Sequence, residues 1–160
     1  MTTIAPCLWF DGKAEEAARF YVSLLPGSRI DAVVPHTIET PGGAPGDVMM
    51  VEFTLAGQPY LALNGGPAFQ FTPAVSFAIA CADQAEVDRL WDALTDGGAP
   101  DRCGWLRDRY GVSWQVVPEA LIAMIKSGDT AKVRRMTEAM MQMVKLDIAA
   151  LRQAFAGEAA

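Results

Sequence analysis

The chain has 160 residues, enough for one ordinary domain, or two small modules sharing a core, to bury that core without staples. Apolar residues make up 51% and charged residues 20%, a balance that excludes a largely disordered chain. The formal charge of −6 repels phosphate backbones and argues against a nucleic-acid partner. No apolar run reaches the ~18 residues of a membrane-spanning helix. Met1 to Phe10 lacks the basic and apolar regions of an export signal. Cys7, Cys81 and Cys103 are widely spaced, with no CxxC pair, and read as reduced thiols of a cytoplasmic protein.

In chain order, Ile4 to Phe10 is a short strand broken by Asp11-Gly12. Lys13 to Leu25 carries Ala14, Ala17, Ala18, Tyr21 and Leu24 or Leu25 at helical spacing, and Pro26-Gly27 stops it. Ser28 to Thr37 reads as a strand. Glu39 to Gly46, with Pro41, Gly42, Gly43, Pro45 and Gly46, is a loop by composition. Val48 to Leu55 and Pro59 to Leu63 are strands joined at Ala56-Gly57 into a hairpin, ended by Asn64-Gly65-Gly66-Pro67.

The order then recurs. Ala74 to Cys81 is a strand, and Gln84 to Thr95 a helix with Val87, Leu90, Trp91 and Leu94 on one face. Asp83 and Glu86 have the spacing of a capping box, and Asp96-Gly97-Gly98 is the stop. Arg102 to Arg107 and Val112 to Val117 are strands around the turn Asp108 to Gly111, with a further short strand expected near Ala99. The first half therefore reads β-α-β-β-β and the second β-α-β-β plus that short strand, a structural repeat with almost no identity between halves. Beyond Pro118, Glu119 to Ser127 is a short helix. Asp129 caps one long helix, Thr130 to about Phe155, with Val133, Met136, Met140, Ile148 and Leu151 in its apolar stripe.

The segments PCLWFDGKAEEAARFYVSLLPGS, VEFTLAGQPYLALNGGP, VSFAIACAD and CGWLRDRYGVSWQVVP, in this order, resemble the PhnB-like branch of the vicinal oxygen chelate superfamily. That branch carries the label 3-demethylubiquinone-9 3-methyltransferase domain, and the wider group holds glyoxalase I, the bleomycin resistance proteins and the extradiol dioxygenases. The resemblance covers nearly the whole chain, C-terminal helices included. It implies an α+β fold of two βαβββ modules, residues 1–67 and 68–118, followed by a helical segment 119–155 and a tail 156–160. It also implies a homodimer, and two curled sheets that form a ligand cleft.

Enzymes of the superfamily hold a divalent metal through His and Glu from the first and last strands of each module. At the matching positions this sequence has Ser76 where His is usual and Gln115 where the DxxGxxxE pattern ends in Glu. The first strand offers Pro6 or Cys7, and the strand closing the first module Leu61, Ala62 or Leu63. The single histidine, His36, lies apart on the second strand. No metal and no cofactor is expected. No strand-to-helix turn has the Gly cluster of an S-adenosylmethionine site, so the resemblance does not extend to methyl transfer.

The expected role is to bind a small molecule in a cleft lined by Cys7, Trp9, Glu52, Ser76, Trp105 and Gln115. Catalytic residues are left unassigned. Trp9, Trp105 and Trp114 all fall on strands and could form an aromatic platform or pack as core. Two other classes compete: a metal-dependent lyase, isomerase or dioxygenase using Glu52 with His36, and a structural module docking through the Met-rich C-terminal helix.

Overall fold

The computed structural model describes residues 2–158. The chain divides into two compact units, one ending at Phe71 and the other beginning at Thr72. In the first unit the elements are β1 (Cys7–Phe10), α1 (Ala14–Leu24), β2 (Arg29–Pro35), β3 (Val48–Leu55) and β4 (Gln58–Asn64). They form a four-stranded sheet in the order β1-β4-β3-β2. The second unit has β5 (Ser76–Cys81), α2 (Gln84–Thr95), β6 (Ala99–Pro100), β7 (Trp105–Arg107) and β8 (Ser113–Pro118), in the order β5-β8-β7-β6. Each sheet has one parallel pair, β1 with β4 and β5 with β8, and is otherwise antiparallel. The repeated βαβββ order is therefore present, and the short strand expected near Ala99 is β6.

The physical origin of the repeat is one helix stripe used twice. α1 buries Ala14, Ala17, Ala18 and Tyr21, and α2 buries Val87, Leu90, Trp91 and Leu94, each at i, i+3, i+4, i+7. Each stripe meets the alternate residues of its sheet. In the first unit these are Leu8, Phe10, Val51, Phe53 and Ala62; in the second Cys81, Leu106, Trp114 and Val116, all buried. The intervening residues of every strand therefore lie on the face that the helix leaves open.

The helix starts differ. On α2 the Asp83 carboxylate accepts from Glu86 N at 2.9 Å, and Glu86 Oε2 reaches back to accept from Ala82 N at 2.8 Å, one residue before the N-cap amide that a capping box uses. On α1 the residue at the N-cap is Lys13, which makes no side-chain cap. The cap comes instead from the end of β4, where buried Asn64 accepts from Ala14 N at 2.9 Å and donates to Val48 O at 2.9 Å. One side chain thus pins strand, helix and hairpin together. The β3–β4 hairpin turns through Ala56 (φ 46°) and Gly57 (φ 88°), both left-handed, as the twist of a two-residue hairpin requires.

Beyond β8 come α3 (Glu119–Ile125), α4 (Thr130–Met140) and α5 (Ile148–Ala156). The single long helix expected from Thr130 to Phe155 is interrupted at 141–147. Two forces favour the break. Asp147 caps a new helix by accepting from Ala150 N at 2.9 Å. The freed backbone pairs with the residues that lead into β7: Cys103 N donates to Met143 O at 2.9 Å and Gly104 N to Val144 O at 2.8 Å. Gln84 completes the clasp, donating to Leu146 O and accepting from Ile148 N. Met136, Leu146 and Leu151 are fully buried with Leu121, and Met140 and Met143 pack against them. Apart from Met141, which is half-exposed, this part of the Met-rich stripe is core.

Candidate functional site

In the first unit, register defines the open face. Cys7 pairs with Leu61, Trp9 with Leu63, Leu61 with Glu52 and Leu63 with Met50. Cys7, Trp9, Leu61, Leu63, Met50 and Glu52 therefore share one face, apolar except for a single exposed carboxylate. This answers which residue of the first strand turns that way: Cys7, two residues before Trp9. Pro6 precedes the strand, and Ala62 points to the helix side, fully buried.

Trp9 is half-buried and held from three directions. Its Nε1 donates to Gly66 O at 2.8 Å, its ring meets Phe69 edge-on at 5.0 Å, and it lies against Gly65. A Cβ on Gly65 would run into the indole of Trp9, so only glycine admits the ring there. The turn Asn64-Gly65-Gly66 is in this sense a seat for Trp9, a role that composition does not reveal. Cys7 is exposed, and partial burial of its thiol pushes the thiol above its ordinary range, which suppresses thiolate and works against a nucleophile.

In the second unit, Ser76, Gln115 and Trp105 come together. Gln115 pairs with Trp105 across β8 and β7, and Gln115 Nε2 donates to Ser76 Oγ at 2.9 Å. All three are half-buried on the open face. Trp114, next in the chain, points the other way. It is 3% exposed, packs on Phe77 at 5.4 Å and donates its Nε1 to Asp108 Oδ2 at 2.8 Å. Of the three strand tryptophans, two are therefore open to a ligand and one is core. Buried Asp108 also accepts from Tyr110 N and Val112 N and so shapes the turn that aims β7 and β8. Sequence reading places a turn there but misses the Trp114 partner, six residues on along the next strand.

An open pocket of about 220 Å³ lies at the β6–β7 edge of this face. Trp105, Arg107, Ser113, Asp101, Pro100 and Pro73 line it. No sequence motif marks Arg107, Asp101 or Ser113. The signal available was alternation: Trp105 and Arg107 flank buried Leu106.

The metal implied by the superfamily resemblance can be tested against these residues. The strand positions offer a thiol, two leucines, a hydroxyl and an amide, and the hydroxyl and the amide bond to each other. That is not the imidazole and carboxylate set that a catalytic divalent ion takes. His36 and Glu52 do not meet. Glu52 pairs with Ala32, and His36 lies four residues further on, about 13 Å along an extended chain. His36 is 5% exposed, with Nδ1 3.3 Å from Thr40 Oγ1 and no partner on Nε2 among the described residues. No group of three or more His, Cys, Asp or Glu side chains able to hold a metal occurs among the described residues.

The family described as 3-demethylubiquinone-9 3-methyltransferase matches residues 2–117. A solved PhnB protein from Bacillus cereus, provisionally named for the same methyltransferase, is 35% identical. The match covers 73% of this chain and 99% of that one, with a TM-score of 0.66. A solved protein from Pseudomonas aeruginosa is 26% identical over 74% of this chain and 98% of its own, with a TM-score of 0.60. A glyoxylase/bleomycin resistance protein/dioxygenase domain from Frankia is 14% identical over 71% and 94%, at 0.46. No curated protein matches the chain. The family match ends where β8 ends, so α3 to α5 lie outside it, contrary to the whole-chain resemblance expected from sequence. The methyl donor the name implies does not fit either: β1 enters α1 through Asp11-Gly12-Lys13 and β5 enters α2 through Ala82-Asp83, with no glycine cluster at either turn. Two βαβββ sheets, a match from residue 2 to 117 and a 35%-identical relative spanned almost end to end lead to one conclusion: the chain belongs to the PhnB-like family that bears the 3-demethylubiquinone-9 3-methyltransferase name.

Proposed function

We propose that the protein binds a small molecule on the open faces of its sheets, without a divalent metal at the strand positions that hold one elsewhere in the superfamily. The observation that carries this reading is the contiguous cluster of Ser76, Gln115 and Trp105, half-buried and beside an open pocket. An aromatic platform with a few convergent polar groups is what small-molecule sites offer. On the first sheet, Cys7, Trp9 and Glu52 supply apolar area with one charge. The reading includes a second copy of the chain, as the resemblance implies, and a reducing compartment such as the cytoplasm, in keeping with three free cysteines.

The test is a melting-temperature screen of the full chain against aromatic and hydrophobic compounds. At about 100 times Kd a ligand adds roughly 2.7 kcal/mol, a readily measured shift. Trp105→Ala and Gln115→Leu should each reduce that shift. A folded protein that no compound stabilises would overturn the proposal.

A further inference from the structure

The pocket at the β6–β7 edge has a charge pattern that specifies its ligand more closely. Ala99 pairs with Arg107, Arg107 with Ser113 and Ser113 with Ser76, forming one row across the open face. Asp101 N donates to Trp105 O and Trp105 pairs with Gln115, forming a second row two residues along. Arg107 and Asp101 thus occupy diagonal corners, with the Trp105 indole beside them and Pro73 and Pro100 completing an apolar lining. Diagonal neighbours in a sheet stand about 7–8 Å apart along the backbone. No ion pair joins Arg107 to Asp101 among the described residues, and a single substituted ring fits between backbone positions so spaced.

Neither charge is consumed by the fold. Arg107 is exposed and has no side-chain hydrogen bond or ion pair among the described residues. Asp101 accepts from the neighbouring Arg102 N through Oδ1. A free guanidinium beside an indole suits a carboxylate carried on an aromatic ring. The volume agrees. At about 220 Å³ the pocket is larger than the ~150 Å³ cavity that admits benzene and smaller than the ~300 Å³ at which drug-sized sites begin. A single ring with short substituents fits.

We infer that this pocket binds a single-ring aromatic carboxylate with a hydrogen-bond donor at the far end of the ring: the carboxylate on Arg107, the ring on Trp105, the donor on Asp101. The inference rests on the proposed small-molecule function and names the ligand class for the second unit.

The experiment is calorimetric titration of the full chain with para-aminobenzoate, benzoate and aniline. Para-aminobenzoate should bind most tightly, benzoate less, and aniline least. Arg107→Gln should weaken both acids about tenfold and leave aniline unchanged. Asp101→Ala, which removes the acceptor, should abolish most of the advantage of para-aminobenzoate over benzoate. Both side chains are exposed, so the variants should melt with the parent, and matched melting curves confirm that the fold is intact. Failure of both acids to bind at millimolar concentration, or binding indifferent to Arg107→Gln, overturns the inference. If the wider screen still finds a ligand sensitive to Trp105→Ala, the small-molecule reading stands and only the ligand class is wrong. If no compound binds at all, both fall.

Discussion

Asp108 is where one substitution should tell most about how the second sheet is held. Its buried carboxylate accepts from Tyr110 N at 2.8 Å, Val112 N at 3.0 Å and Trp114 Nε1 at 2.8 Å. Val112 and Trp114 are 2% and 3% exposed, so water cannot take over their donors. Hydrogen bonds to a charged group are worth about 1.5–3 kcal/mol each. Asp108→Ala abandons these bonds; the Tyr110 donor regains water, leaving a cost of about 3–5 kcal/mol. Asp108→Asn keeps an oxygen for the backbone donors but turns an N–H toward the indole N–H, and should cost about 1–3 kcal/mol. Urea unfolding followed by far-UV circular dichroism measures these, because the signal survives loss of a tryptophan. A double-mutant cycle with Trp114→Phe should return about 1.5–3 kcal/mol of coupling. A loss under ~1 kcal/mol in Asp108→Ala, or a coupling near zero, would refute the view that this carboxylate anchors the β7–β8 turn.

Other consequences are as direct. Gly65→Ala drives a methyl group into the Trp9 indole and should destabilise the first unit by about 1–3 kcal/mol, read from its melting curve. Ala56→Asn places a residue that tolerates left-handed backbone in the β3–β4 turn and should gain about 0.5–1 kcal/mol in the same assay. Burial first, and then Glu86, pushes the Cys81 thiol up to about 11. The unfolded thiol ionises at lower pH than the folded one, so stability should fall as pH rises from about 9 toward 11. Cys81→Ser should flatten that decline in urea titrations across the range. Gln84→Ala should speed hydrogen exchange at Met143 to Ile148 by releasing the two bonds of the clasp, while Gln84→Glu restores only the acceptor. Metal analysis by mass spectrometry, on protein purified without chelator or histidine tag, should find far less than one divalent ion per chain; stoichiometric zinc, nickel, iron or manganese would overturn the metal-free reading.

Much of the fold is legible in sequence because it is local. The stripes Ala14/Ala17/Ala18/Tyr21 and Val87/Leu90/Trp91/Leu94 have helical period, and the strands alternate. Asp83 with Glu86 announces a helix start, and each punctuation mark lies within a few residues of the element it ends. The family follows from the order of four such segments. The same local reading fails at 141–147. Apolar period alone continues the helix through that stretch, while Gln84 and the Cys103-Gly104 backbone, some 40 to 60 positions earlier, claim its carbonyls and amides.

Of the candidate site, sequence determines the residue types and hence the chemistry withheld: with Ser76 and Gln115 at the strand positions there is no imidazole or carboxylate to hold a metal there. Tertiary structure decides which side chains can meet a ligand. Register turns Cys7 and Trp9 together with Glu52 onto one open face. It joins Gln115 to Ser76, buries Trp114 on Asp108, and brings Arg107 and Asp101 to a pocket that no motif marks. The reason is that a strand sends successive side chains to opposite faces. A one-residue change of register would exchange every lining residue for a core one, and register is fixed by partners that lie far away along the chain.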